Sequence, residues 1–516
     1  MLIDAATCSR ARFTRDPRFD GRFFIGVLTT RIYCRPICPA RPPKEENVRY
    51  FATAAAAAEA GLRPCLRCRP EGAPGTPAWS GTSATVSRAL RLISESALED
   101  GGVETLSSRL GIGSRHLRRL FLQHLGASPV TVAQTRRLHF AKRLLNETQL
   151  PMHQIALASG FGSVRRFNAC FQKTYGRAPS QLRKLGANRM RVPADEYRFS
   201  LRFRPPFCWD ALLEFLAPRA TPGVELVDRG TYRRTIFLQG KSGWMDVALD
   251  SDANALDVRI HYPQPRWLFL IVERVRAMFD LAADPESFMR HFRRDPLLGP
   301  RIASRPGLRV PGSWDGFELA VRAVLGQQVT VRGATTLAGR LVREFGSNID
   351  GAPGLTHLFP TPEKIADSDL SRIGLPRARA NTLRSLARAV IDGQICFAGV
   401  VNPEEFISRF CQIPGIGGWT AQYVAMRALS EPDAFPASDL GLLHAAGLRN
   451  AREMQTRAEA WRPWRAYAAM YLWQASAQQV KARHVVPIRL ASKKGSNHAN
   501  VIYSNRKPAR TAATGL

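Results

Sequence analysis

Four cysteines carry the clearest chemistry in this 516-residue chain: Cys34-x3-Cys38 and Cys65-x2-Cys68. Close-spaced thiol pairs of this kind bring four sulfurs round one tetrahedral zinc ion, and the pattern reads as a metal site, not a disulfide framework. Most four-cysteine zinc sites only brace a small fold. Here the pairs sit inside Thr29-Thr30-Arg31-Ile32-Tyr33-Cys34-Arg35-Pro36-Ile37-Cys38 and Arg63-Pro64-Cys65-Leu66-Arg67-Cys68-Arg69. Thiolates interleaved with arginines make surroundings that attract phosphate.

A second concentration of chemistry lies far downstream. Cys411-Gln412-Ile413-Pro414-Gly415-Ile416-Gly417-Gly418-Trp419 is a glycine-rich turn between helical stretches. Glycine lets the backbone turn tightly and aim its N–H groups at a phosphate from the positive end of the next helix, so a helix-hairpin-helix is expected here. Asp439 follows, just before Leu440-Gly441-Leu442-Leu443, and the aromatic residues Trp461, Trp464, Tyr467 and Trp473 come after it. A lone aspartate in that place is ordinarily a helix N-cap.

The composition says what these groups act on. Lys+Arg 74 against Asp+Glu 42 gives a formal charge of +32, which indicates a polyanionic partner. DNA, RNA and an anionic membrane all satisfy it. No apolar run approaches the length of a membrane span, and the start Met1-Leu2-Ile3-Asp4-Ala5-Ala6-Thr7-Cys8 lacks a secretory pattern. The other five cysteines, Cys8, Cys170, Cys208, Cys396 and Cys411, show no spacing and read as reduced thiols of a cytosolic protein.

The length suits several domains, each expected to bury its own core. After the breaker run Gly72-Ala73-Pro74-Gly75-Thr76-Pro77 the texture turns helical. Leu106 to Ser114 and Ile155 to Ser163 repeat one helix, glycine turn, helix pattern, and Gly126 to Pro129 and Gly176 to Pro179 close the two units alike. In the second helix of each unit Leu117 and Phe121, then Phe167 and Phe171, face a core at i, i+4. Arg115, Arg118, Arg119, Arg165, Arg166 and Lys173 are left on the other faces, a solvated charged surface or the reading face of a helix that enters a major groove. Beyond Asn188, alternating runs (Phe199, Leu201, Phe203; Leu256, Val258, Ile260) flank a helix from Trp209 to Leu216 and predict a small α+β domain without a catalytic polar constellation. From Lys481 to Leu516 no acidic residue occurs, and a disordered basic tail adding nonspecific DNA affinity is expected.

Three resemblances follow from these motifs. Arg22 to Glu71, with Val48-Arg49-Tyr50-Phe51-Ala52-Thr53-Ala54 and Pro64-Cys65-Leu66-Arg67-Cys68-Arg69-Pro70-Glu71, resembles the N-terminal domain of the Ada adaptive-response proteins. The likeness implies Cys34, Cys38, Cys65 and Cys68 as zinc ligands, Cys34 as acceptor of a methyl group from a DNA phosphotriester, and Thr30, Arg41, Arg63 and Arg67 as phosphate contacts. The duplicated unit resembles the paired helix-turn-helix domain of AraC-type regulators. The chain from about Tyr197 to Gln479 is similar to the AlkA branch of the helix-hairpin-helix DNA glycosylases. That likeness implies Asp439 as the catalytic carboxylate, Trp419, Tyr423 and Trp473 as aromatic pocket residues, Gly415 and Gly417 against DNA, and a monovalent cation at the hairpin. Bifunctional members carry a lysine where this chain has Trp419, so water is expected to attack the sugar. Gln328 stands where AlkA inserts a leucine beside the flipped base, and Leu440 where it has a tyrosine. The Pro-Cys-His-Arg site of O6-alkylguanine methyltransferases is absent from the sequence.

The expected fold is thus multidomain, mainly α with α+β parts. Its parts are a zinc methyl-acceptor domain (1–75), a double helix-turn-helix (76–190), an AlkA N-terminal-like domain (195–305), a glycosylase domain (306–480) and a tail (481–516). The expected function is an alkylation-damage response: methyl sensing, transcriptional activation and excision of 3-methyladenine-type bases. Its partners would be double-stranded DNA and RNA polymerase, with no membrane, the chain being monomeric, cytoplasmic and nucleoid-associated. Methylation of one of four thiolates on Zn2+ cuts the formal charge from −2 to −1 and would tighten DNA binding. The alternative is an AraC-type transcription factor whose glycosylase part is a degenerate, non-catalytic remnant, marked by Gln328 and Leu440.

Overall fold

The computed structural model describes residues 3–74, 84–94, 102–184, 195–397 and 402–484. Met1–Ser476 form one compact unit and Ala477–Leu516 a second. The basic tail lies outside the described residues beyond His484, as do the chain from 75 to 83 and most of the stretch following Lys184.

The first part is a helix, Ala5–Thr14, and a four-stranded sheet in the spatial order Val48–Phe51, Phe24–Val27, Ile32–Cys34, Arg63–Pro64. Its outer pairing is parallel, Tyr33 beside Pro64, and Cys65 N donates to Tyr33 O at 3.0 Å. This short pairing carries the second cysteine pair to the first.

The helix-turn-helix units follow. Ser114–Leu125 and Val164–Tyr175 are their second helices, and Pro129–Glu147 joins the units. Leu117, Phe121, Phe167 and Phe171 are wholly buried, as their spacing predicts. Gly126 ends the first of these helices at φ +69°, and Ala56 of the cysteine-bearing part lies against it: a Cβ there would meet that of Ala56 at 3.0 Å.

A five-stranded antiparallel sheet follows, ordered Glu196–Arg202, Ala255–His261, Lys241–Asp250, Thr231–Leu238, Glu225–Asp228, with the expected helix Trp209–Leu216. The expectation of separate cores fails at this junction. One buried cluster runs from Leu138 and Phe140 of the joining helix and Phe171 of the second helix-turn-helix unit into Phe199, Tyr232, Val258 and Val275 of the sheet domain. The two share their apolar surface, because Phe140 stacks on Phe199 at 6.2 Å instead of closing a private core.

The remaining helices of the first unit, from Gly316–Leu325 onward, pack round a second large core that includes Val324, Leu386, Val424 and Trp461. A buried ionic network fastens them to the sheet domain. Arg234 meets Glu318 at 2.6 Å, Arg322 meets Glu225 at 2.8 Å, and Tyr232 Oη donates to Glu225 at 2.5 Å. Burial alone would push the Glu225 carboxyl up, but Arg322 and Arg234 hold it down at about 2.

Candidate functional site

The thiols of Cys34, Cys38, Cys65 and Cys68 lie within 4.8 Å of one another. Arg35 holds the two pairs in place from between them: its backbone N–H donates to Cys68 Sγ (3.3 Å), and its buried guanidinium joins Cys68 O (3.1 Å) to the Asp20 carboxylate (2.8 Å). The donor set suits zinc, since four sulfurs converge within 4.8 Å of one another. Four thiolates this close repel one another. A divalent ion removes that conflict. Thr30, Arg41, Arg63 and Arg67 are all exposed near the sulfurs in sequence, and Cys34 is only half-buried.

On the reading helices Arg115, Arg118, Arg119, Arg165 and Arg166 are exposed. Only weak partners engage them among the described residues: Arg118 lies 3.7 Å from exposed Glu104, and Arg119 3.3 Å from His116. They are free to meet phosphates or base edges.

The downstream site forms round Asp439. Its Oδ1 accepts from Leu442 N (3.0 Å) and from the Trp473 indole (2.8 Å), while Oδ2 accepts from the Trp419 indole (2.9 Å). The N-cap reading is met, and the same carboxylate also gathers the two indoles. Trp419 stacks on Tyr423 at 5.4 Å and 7°, and Tyr423 meets Trp473 edge-on at 6.0 Å. The three rings and the carboxylate form one half-buried cluster, with the neighbouring Leu440 70% exposed. Burial pushes the Tyr423 phenol up, but the charges of Arg427 and Arg219 outweigh it and hold it below its ordinary value.

The hairpin that places Trp419 depends on Gly415, at φ +86°, where a Cβ would fall 2.1 Å from Thr382 Oγ1. Gly417 caps the helix Gly418–Ala428 without a side-chain bond, leaving its first N–H groups for a ligand. Gln328 stands exposed on the neighbouring loop at φ +57°, a conformation L residues seldom adopt. The loop is tied down beside it: Gln327 donates to Gly415 O and Thr420 Oγ1, both at 3.0 Å, and Arg379 donates to Gln327 O at 2.7 Å.

Two residues at this site escaped sequence reasoning, which assigned no site role to the sheet domain. Phe215 lies 6.1 Å from Trp473, and the Arg219 guanidinium 3.9 Å above Phe215. Both come from one turn of the helix Trp209–Leu216 and its continuation, and a Phe-x3-Arg pair in an amphipathic helix gives no signal of its own.

Helix-hairpin-helix, aromatic pocket and central aspartate, joined to a four-cysteine centre and a duplicated helix-turn-helix, define a multidomain DNA-repair protein that also carries a transcription module. Family models agree part by part: the metal binding domain of Ada over residues 7–71, a helix-turn-helix domain over 106–185, the AlkA N-terminal domain over 198–315 and the HhH-GPD superfamily base excision DNA repair protein over 321–466. The "Probable bifunctional transcriptional activator/DNA repair enzyme AlkA" of Mycobacterium tuberculosis is 40% identical over 481 residues, 92% of this chain and 97% of that one. The chain belongs to that family of bifunctional activator and repair proteins. The DNA-3-methyladenine glycosylase 2 of Escherichia coli is 32% identical over 53% of this chain and 96% of its own. The bifunctional enzyme Ada of the same species is 33% identical over 34% of this chain and 48% of its own length. Among the described residues no helix is long and apolar enough to cross a membrane.

Proposed function

We propose that the chain senses DNA methylation damage at Cys34, activates transcription through its two reading helices, and excises alkylated bases of the 3-methyladenine class by hydrolysis at Asp439. The division at about 75, 190, 305 and 480 belongs to this reading, with the shared core as its qualification. So do double-stranded DNA at lesions and promoters, RNA polymerase as partner, a monomeric state, and a cytoplasmic, nucleoid-associated location.

At the first site Cys34, Cys38, Cys65 and Cys68 would hold zinc, which supplies a positive charge that keeps the thiols deprotonated near neutral pH. Cys34 Sγ attacks the methyl carbon of a phosphotriester; the S–C bond forms, the C–O bond breaks, and its electron pair stays on the phosphate oxygen. A diester is left and the thioether is permanent, so each molecule reacts once. Thr30, Arg41, Arg63 and Arg67 would hold the flanking phosphates.

At the second site the damaged base would stack among Trp419, Tyr423 and Trp473, with Gln328 filling its place in the duplex and Gly415 and Gly417 presenting backbone to the DNA phosphate. A monovalent cation at the hairpin carbonyls belongs to the same picture; one of those carbonyls, Gly415 O, already accepts from Gln327. The C1′–N bond breaks with its electrons on the base, water adds to C1′, and the proton that water loses passes to solvent. Asp439 stabilises the cationic sugar by its charge. The observation that carries this reading is the Asp439 carboxylate held on both oxygens by the indoles of the pocket that would receive the base. Trp419 takes the place where a lysine would form a Schiff base, so the product is an unbroken abasic strand.

One experiment tests both halves: full-chain protein on methylated duplex DNA, scoring released bases and methyl groups retained on protein. Base release without strand cleavage, together with methyl on Cys34, is expected. Methyl retention with no base release would make the chain a transcription factor with a silent glycosylase fold.

A further inference from the structure

The turn that carries Phe215 and Arg219 is gripped by two helices of the second large core. Arg322, in the helix Gly316–Leu325, donates through Nη2 to Arg219 O, and its Nη1 lies 2.8 Å from a Glu225 oxygen and 3.3 Å from Glu318. That same Glu225 oxygen accepts from Thr221 N at 3.0 Å. Thr335 Oγ1, in the helix Val331–Phe345, donates to Pro218 O at 2.8 Å. One turn further along this helix the backbone comes close to the same segment: a Cβ on Gly339 would stand 3.1 Å from Pro222 Cγ.

The two helices carry the loop 326–330 between them, and with it Gln327 and Gln328. Gln327 ties that loop to the hairpin through Gly415 O and Thr420 Oγ1. One helix pair therefore meets three parts of the excision site: the hairpin, the loop whose Gln328 would fill the base's place in the duplex, and the turn that sets Phe215 6.1 Å from Trp473. Extrusion of a base joins these parts in one event, since the nucleotide displaced at Gln328 has to arrive among the rings beside Asp439. The spacing of loop and turn must then be kept. Apolar burial has no direction, so the hydrogen bonds to Arg219 O and Pro218 O are what fix it.

We infer that Arg322 is a positioning residue for base excision: its bond to Arg219 O, with that of Thr335 to Pro218 O, keeps the turn bearing Phe215 and Arg219 in register with the Gln328 loop. This rests on the glycosylase reading and adds to it residues outside the aromatic cluster. The terminal nitrogens of Arg322 divide the work, Nη1 serving the two acids and Nη2 the carbonyl. Lysine keeps the charge on a single nitrogen and cannot span both places. A displacement of about 1 Å at a reacting site costs on the order of a hundredfold in rate, and loss of one of the two grips is expected to cost roughly tenfold or more.

The test uses the full chain on methylated duplex DNA under single turnover, scoring 3-methyladenine released above the spontaneous rate. Arg322→Lys should lower the maximal rate roughly tenfold to a hundredfold, with affinity for undamaged duplex within about twofold. Thr335→Val, which removes a hydroxyl and no charge, should lower it by about threefold or more. A cycle with Phe215→Ala separates positioning from a loss of stability, because residues that act through one another give non-additive effects whereas independent effects multiply. With Phe215 truncated, Arg322→Lys should cost less than about threefold. A rate within about twofold of the wild type in either variant overturns the proposal, as does a factor for Arg322→Lys that is the same with and without Phe215. Should Arg322→Lys not fold, Thr335→Val decides by the same cycle and the same criteria. If the wild type releases no base, the glycosylase reading itself falls; a wild type that excises beside an equally active Arg322→Lys defeats only the inference.

Discussion

Asp439→Asn is the sharpest test of the catalytic assignment, because the structure shows that the change is not simply a loss of charge. The carboxylate accepts three hydrogen bonds, two on Oδ1 and one on Oδ2. An amide has a single oxygen, so if that oxygen keeps Leu442 N and the Trp473 indole, the new NH2 group faces the Trp419 N–H, donor to donor. Losing that bond costs about 1–3 kcal/mol of local stability, since a half-buried donor is left without an acceptor. The helix cap survives, because asparagine caps as well as aspartate. Catalysis loses more. A carboxylate at about 4 Å from a developing sugar cation contributes about 1–4 kcal/mol at effective dielectrics of 80 to 20, or roughly fivefold to a thousandfold in rate. Displacement of Trp419 from its acceptor adds to that loss. The expected result is single-turnover excision reduced by about a hundredfold or more, with affinity for undamaged duplex within about twofold and an unbroken product strand at long times. Excision at the wild-type rate would refute the role of the charge. A parallel loss of DNA affinity would show that Asp439 serves the fold alone, and borohydride trapping of a covalent adduct would refute hydrolysis by water.

Three further outcomes are expected. Cys34→Ala should abolish methyl retention while base release stays within about twofold, measured with labelled methylphosphotriester DNA; transfer at the wild-type rate would mean that another sulfur is the acceptor. Methylation of Cys34 should raise promoter affinity roughly fivefold to a thousandfold at low salt, and the gain should shrink as salt rises, because it comes from relieved charge repulsion; a gain independent of salt would point to rearrangement. Asp280, which accepts from Tyr467 Oη at 2.7 Å, is pushed up by burial to about 6. Its contribution is fully present below its unfolded value near pH 4 and is lost as pH rises through 6, so Asp280→Asn should raise stability above pH 6 by on the order of 2–3 kcal/mol and leave it unchanged at pH 4. Thermal melts at the two pH values decide it.

What the sequence disclosed and what it hid divide along one physical line. The four cysteines, the hairpin glycines and the reading helices are legible because short-range spacing encodes them: a C-x3-C or C-x2-C pair, a positive φ at Gly415, an i, i+4 apolar stripe in each reading helix. Asp439 was legible as a helix cap from the apolar run that follows it. Contacts made across hundreds of residues left no such trace. Phe215 and Arg219 reach the ring of Trp473 from some 250 residues upstream. Nor did any local pattern separate a private core from a shared one. Phe140 and Phe199 each look like ordinary core residues of their own segments, and only their stacking reveals that reader and sheet domain are joined.

That joining bears on how a single methyl group could be felt by the reader. The cysteine-bearing part does not hang from a linker. Thr53 Oγ1 donates to Leu125 O, the last carbonyl of the first reading helix, at 2.8 Å, and Arg63 lies 3.7 Å from where a Cβ on Gly176 would stand at the end of the second. Tyr33, next to Cys34, shares a 2.9 Å hydrogen bond with His139 of the helix that joins the two units. Burial pushes His139 down to about 4, so it is neutral at physiological pH and the bond adds no charge of its own. The cysteine-bearing part thus packs, through Thr53 and Arg63, on the C-terminal ends of both reading helices. The electrostatic account of the switch expects the gain in DNA affinity to arise with this packing unchanged, and the salt dependence of that gain is its test.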